Sequence, residues 1–107
     1  MTDIYNLFEN IKKRPGAFLF ERSITHLRTL MAGYSLAKME LNITPTEQDI
    51  EFDRFQQWIQ NKYNVTASKS WATIILENSN NETEAFDEFF ELLEEFKNEI
   101  KLASQLS

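Results

Sequence analysis

Residues 12 to 27, KKRPGAFLFERSITHL, hold the densest set of groups in this chain that could do chemistry. Lys12, Lys13 and Arg14 run into Pro15 and Gly16, and the only histidine, His26, follows three residues after Ser23. Cations ahead of a glycine turn are the raw material of a phosphate loop, where several glycines let backbone N–H groups close on the anion. Gly16 stands alone, and no Gly-Lys-Ser/Thr follows it. On a helix the spacing of Ser23 and His26 brings the two side chains near each other, but nucleophilic work also needs an oxyanion hole and a third, orienting group. The sequence offers neither. The stretch reads instead as a helix stop and restart, with cations at a helix C-terminus, Pro-Gly to end it, and Ser23 as the next N-cap. His26 is then a surface histidine.

Asp49, Glu51 and Asp53 alternate like the opening of a calcium loop, but Arg54 stands where a glycine is needed. On a helix these three diverge, so they read as acid in a first turn, where the dipole favours it. No metal and no cofactor is expected. The thirteen acidic residues of positions 44–107 offer many carboxylate pairs. None lies in the apolar surroundings that raise a pKa for general-acid work. The chain is expected to be non-catalytic.

One constellation remains. At about 100° per residue, Ala85, Phe86, Phe89, Leu92, Leu93, Phe96 and Ile100 fall on one side of a helix. Glu84, Asp87, Glu91, Glu94, Glu95 and Asn98 fall on the other. Glu84–Glu88, Asp87–Glu91 and Glu91–Glu95 are like charges at i, i+4, each pair repelling by a few tenths of a kcal/mol. A helix that keeps such pairs is either solvated there or presents its field to something basic. Glu84, Asp87, Glu91, Glu94 and Glu95 are the expected contact residues, with Phe90, at the margin of the apolar arc, as aromatic anchor.

These groups need elements to position them. Gly and Pro number only two each, and apolar residues recur at helical spacing, so the chain is expected to be all-α, with about five helices. The first opens after Thr2, with Asp3 in its first turn, and buries Ile4, Leu7, Phe8 and Ile11. The second carries Leu27, Leu30, Met31, Tyr34, Ala37 and Leu41 on one face. The third starts from Thr44 as cap, with Pro45 first and Glu47 completing a capping box. It buries Phe52, Phe55, Ile59 and Tyr63, with Trp58 beside them, and ends near Asn64. Ser68 caps a short fourth helix with Trp71, Ile74 and Ile75, although the β-branched content of WATIIL also suits a strand. Asn81 caps the long acidic fifth helix, which frays beyond Leu102.

Length and composition set the frame. The 107 residues make one domain, 1–107, and a 42% apolar content with nine Phe and two Trp can fill one core. There is no Cys, hence no disulfide or thiolate site. With no signal-peptide core near Met1 and no apolar run able to span a bilayer, the expectation is a soluble cytoplasmic protein without a membrane role. Net charge is −6, and it is uneven. Positions 1–43 hold six Lys/Arg against four Asp/Glu, while positions 44–107 hold five against thirteen. An acidic half argues against nucleic acid, whose phosphates need cations, and for a basic protein partner.

Several phrases together, RPG with an apolar tail, SITHLRTLMAGY, FQQWIQNKYN, SWATIIL and EAFDEFFELLEEF, occur in order over nearly the whole chain. The set resembles a group of small bacterial proteins encoded among polymorphic-toxin and contact-dependent-inhibition genes and regarded as immunity proteins. In that group the stretch after the turn often reads Met-Tyr-Leu-Gly, where this chain has Ala17, Phe18, Leu19 and Phe20. The resemblance implies a protein that binds and blocks one cognate toxin and needs no catalytic set. Charge and resemblance together lead to inhibitory binding through the acidic helical face, the alternative being an adaptor or regulatory module that binds without inhibiting.

Overall fold

The computed structural model describes residues 3–106 and is all-helical. Its segments are α1 (Ile4–Lys13), α2 (Pro15–Leu19), α3 (Ile24–Glu40), α4 (Glu47–Asp53), α5 (Phe55–Lys62), α6 (Trp71–Glu77) and α7 (Glu82–Leu106). Two features raise the number above the expected five. Pro15 and Gly16 do not merely stop a helix; Pro15 opens the one-turn α2, for which its fixed φ is suited. The expected third helix is divided at Arg54 into α4 and α5. WATIIL is helical, not a strand, and its cap is Ser70 rather than Ser68, the Ser70 hydroxyl accepting from the Thr73 N–H at 3.2 Å.

The helix starts follow the chemistry of short polar side chains, with the positions shifted in places. Thr2, expected to open the first helix, lies outside the described residues. Asp3 is itself the N-cap of α1, accepting from the Ile4 N–H at 2.9 Å. Ser23 caps α3 as expected, accepting from the His26 N–H at 3.1 Å. The capping box of α4 is one register later than the expected Thr44, Pro45 and Glu47. Thr46 is the cap and Asp49 the returning carboxylate, which accepts from the Thr46 N–H at 2.9 Å. Pro45 stays outside the helix, because Thr46 completes a reciprocal pair and Thr44 does not. Asn81 accepts from the Glu84 N–H at 2.8 Å, and Glu84 reaches back to the Asn80 N–H at 3.1 Å. α7 then runs through Leu102 to Leu106.

Two helices end on asparagine in place of glycine. Asn42 and Asn64 both have φ of 55°, and in each case the next residue bonds back in the Schellman pattern, Ile43 N–H to Lys38 at 2.9 Å and Val65 N–H to Gln60 at 2.9 Å. A third positive φ, 72° with ψ of −42°, falls on Phe20 at the end of α2. This is near the γ-turn region that side-chain-bearing residues avoid, and holding it costs on the order of 1–3 kcal/mol.

α7 is the spine, packed by α3, α5 and α6, while α1 lies on α2 and α4. An aromatic cluster from α4, α5, α6 and α7 occupies the centre, and Phe8 of α1 joins it. Phe55 meets Phe89 at 5.6 Å, Phe96 at 5.4 Å and Trp71 at 5.8 Å between ring centres, mostly edge to face, and Phe8 meets Phe89 at 5.2 Å. Such pairs add roughly 0.5–1.5 kcal/mol each beyond burial. α3 departs from the expected pattern in its second half. Leu27 and Met31 are buried, but Ala37 and Leu41 face solvent, and the buried residue in the last turn is Lys38.

Candidate functional site: the acidic face of α7 and the α3–α4 groove

Glu84, Asp87, Glu91, Glu94 and Glu95 are all exposed along one side of α7. From Glu84 to Glu95 this face extends about 16 Å at 1.5 Å per residue. Three of the carboxylates have cations within reach. Arg22 touches both oxygens of Asp87 at 3.3 Å, Lys62 reaches Glu95 at 2.8 Å, and Lys97 reaches Glu94 at 3.5 Å. These pairs are exposed, so each adds only about 0–1 kcal/mol to stability. Glu84 and Glu91 form no ion pair with any described residue.

Glu88, outside the expected set, shows how crowded the face is. Burial pushes its carboxyl above the usual range, and the charge of Glu91 and a hydrogen bond between the two push it further. Lys62, by contrast, is held protonated by its hydrogen bond to Glu95.

Phe90 is not a surface anchor. It is 6% exposed, in edge-to-face contact with Phe86 and Phe89 at 5.1 Å each, and Lys12 from the end of α1 stands 5.8 Å over its ring. A position at the margin of one helix's apolar arc is decided by its neighbours, and here α1 covers it. The aromatics beside the acidic face come from elsewhere. Tyr63, expected to be buried, is only half-buried. Its hydroxyl is pushed up by burial and by the charges of Glu88 and Glu95. Phe20, 87% exposed, lies two residues from Arg22, whose guanidinium holds Asp87 and whose carbonyl accepts from the Thr83 hydroxyl at 3.4 Å. No helical period could single out Phe20, since it lies in a turn. The one signal in the sequence was a second Phe two residues after Phe18, outside any apolar stripe.

The opening stretch serves as connection. The Nδ1–H of the exposed His26 donates to the Leu19 carbonyl at 3.0 Å. The Ser23 hydroxyl, besides capping α3, donates to Glu82 at 2.9 Å. Glu82 also accepts from the Thr25 N–H at 3.0 Å and the Thr25 hydroxyl at 2.7 Å. Burial pushes the Glu82 carboxyl up, but these hydrogen bonds outweigh it and hold the group below its usual value. Sequence reading missed this clasp between the starts of α3 and α7, because the partners are more than fifty residues apart.

A groove of about 710 Å³ lies between α3, α4, α5 and α6, with Met31, Met39, Phe52 and Trp71 among its lining residues. Lys38 of α3 and Asp49 of α4 meet in it as an ion pair, both nearly buried, and Tyr34 offers its ring 5.1 Å from the Lys38 ammonium. Burial raises the Asp49 carboxyl, but Lys38 and the Thr46 backbone more than compensate and hold it low. The hydrogen bond to Asp49 keeps Lys38 protonated against its burial. Asp49, Glu51 and Asp53 thus part company. Asp49 is locked to Lys38, Glu51 accepts from the Tyr5 hydroxyl at 2.8 Å, and Asp53 is exposed on the rim. Among the described residues no three His, Cys, Asp or Glu stand close enough to hold a metal, and no helix is long and apolar enough to cross a membrane.

Compared with protein-family models, with curated proteins and with solved structures, the chain matches none. The functional reading therefore rests on its own residues.

Proposed function

We propose that this protein is a non-catalytic inhibitor that binds and neutralises a basic protein partner through the acidic face of α7, as an immunity protein does in the bacterial cytoplasm. The observation that carries the reading is the carboxylate surplus at Glu88, Glu91 and their neighbours. The face keeps more negative charge than its own cations balance, and the charge of Glu91 adds to burial in holding the Glu88 carboxyl above its usual value. Lysine and arginine of a partner would relieve that repulsion on contact, and would be steered toward it at longer range. Phe20 and Tyr63, beside the face, are of the kind that supplies close-range affinity.

Retention of a single basic protein from a host lysate at about 0.1 M salt, loosened at about 0.5 M as screening increases, is the expected outcome. Glu91→Lys with Glu95→Lys weakens that binding at least about tenfold with the helix content unchanged. Unchanged affinity would remove the acidic face from the reading. Loss of the partner's own activity in the complex separates inhibitor from adaptor.

A further inference from the structure

α3 sorts its residues against the usual rule. Lys38, 7% exposed, is turned inward, while Leu36 is 53% and Met39 68% exposed. Leu41 at the end of the helix and Ile50 on α4 are exposed too. The outer face of α3, which begins at the rim of the α3–α4 groove where Ala32 and Met39 also line it, carries Ala32, Leu36 and Met39 at i, i+4 and i+7, and no charged residue occurs between Arg28 and Lys38. An apolar stripe along a helix is ordinarily covered.

The charges that bound this face say what covers it. Arg28 stands at one end and Glu40 at the other, both exposed and neither in an ion pair with a described residue. They are twelve residues apart, about 18 Å along the helix. Two such faces laid antiparallel set Arg28 of each copy at the level of Glu40 of the other, whereas parallel pairing sets like charge at the level of like. The same two-fold, passing at the level of Tyr34, sets Leu36 of one copy against Ala32 of the other, large on small, twice. An isologous contact requires this kind of self-complementarity. On a chain of net charge −6, it is also a stretch where two copies can approach without stacking acid on acid.

We infer that the outer face of α3 binds the same face of a second copy of this chain in an antiparallel, two-fold pair. The pairing uses a surface other than the acidic face and does not depend on the inhibitory reading.

Sedimentation equilibrium of the whole chain, from about 10 µM to about 1 mM, covers the range expected of a contact this small. It should show a concentration-dependent species of twice the chain mass. Leu36→Glu should leave a single-chain mass throughout, with an unchanged far-UV circular dichroism spectrum. Arg28→Glu should weaken the dimer roughly tenfold, and adding Glu40→Arg should restore it, since the pair then meets with signs exchanged. A wild-type chain of single mass over the whole range overturns the proposal, as does a dimer that survives Leu36→Glu. Should Leu36→Glu disturb folding, the charge exchange decides, and a double variant no tighter than Arg28→Glu alone overturns the antiparallel pairing.

Discussion

α3 and α7, the two longest helices, pack against each other and treat their charges in opposite ways. α7 keeps its carboxylates outward and its phenylalanines inward, so water solvates the charges and each ion pair contributes little. α3 turns Lys38 inward, where Asp49 has to neutralise it, and leaves Leu36 and Met39 in solvent. On α7 most of the charges stay in water, where a partner can reach them. On α3 a charge is committed to the fold, and it is the apolar side chains that are free. The two faces are accordingly suited to different contacts, one steered by field and the other made by burial.

The sharpest way to break this contrast is to remove one member of each ion pair. Asp49→Ala strands the Lys38 ammonium and opens the capping box of α4, and should cost about 3 kcal/mol in urea unfolding. Acid reports on the same asymmetry. Asp49 and Glu82 titrate below their ordinary values in the folded chain, so their contribution is complete above about pH 5 and is lost as pH falls through the folded values. Glu88 has the opposite sign, since its raised value means that ionisation near neutral pH costs stability. Thermal melting should therefore show a shallow maximum in mildly acidic solution and a loss of stability as pH falls further, through the lowered values of Asp49 and Glu82. Glu88→Gln should abolish the shallow rise on mild acidification and leave the acid fall in place.

Smaller effects sharpen the comparison at the turn that carries Arg22 to α7. Phe20→Gly relieves the positive φ and uncovers no core, so it should stabilise the chain by about 1 kcal/mol in the same unfolding experiment. If Phe20 serves binding, that variant gains stability while losing affinity. Arg22→Ala, which strands the exposed Asp87, should cost under about 0.5 kcal/mol, against the roughly sixfold larger loss from Asp49→Ala. Equal losses from the two would erase the distinction between the helices.

Much of this fold is legible in the residues because it rests on local rules. The 3.6-residue period places Phe86, Phe89, Leu92, Leu93 and Phe96 inward without knowledge of what they meet. Ser23 and Asn81 cap helices because a short polar side chain can reach the backbone three residues on. The five exposed carboxylates of the candidate site follow from the same period. Phe90 did not follow, because its arc position is ambiguous and the end of α1 decides it. The shift from Thr44 to Thr46 was hidden because both sit at plausible caps, and what separates them is the reciprocal bond with Asp49, itself held by Lys38. Phe20 was hidden because turns have no period.

By itself, then, the sequence determined that this chain is helical, that Ser23 and Asn81 open two of its helices, and that one helix carries a carboxylate face, since these depend on contacts within a few residues. The tertiary structure decided which marginal side chains are covered, that Lys38 and not Ala37 or Leu41 faces inward, and that Glu82 clasps Ser23 and Thr25. Those outcomes turn on partners eleven to nearly sixty residues away, whose approach is set by how the helices fill the space between them.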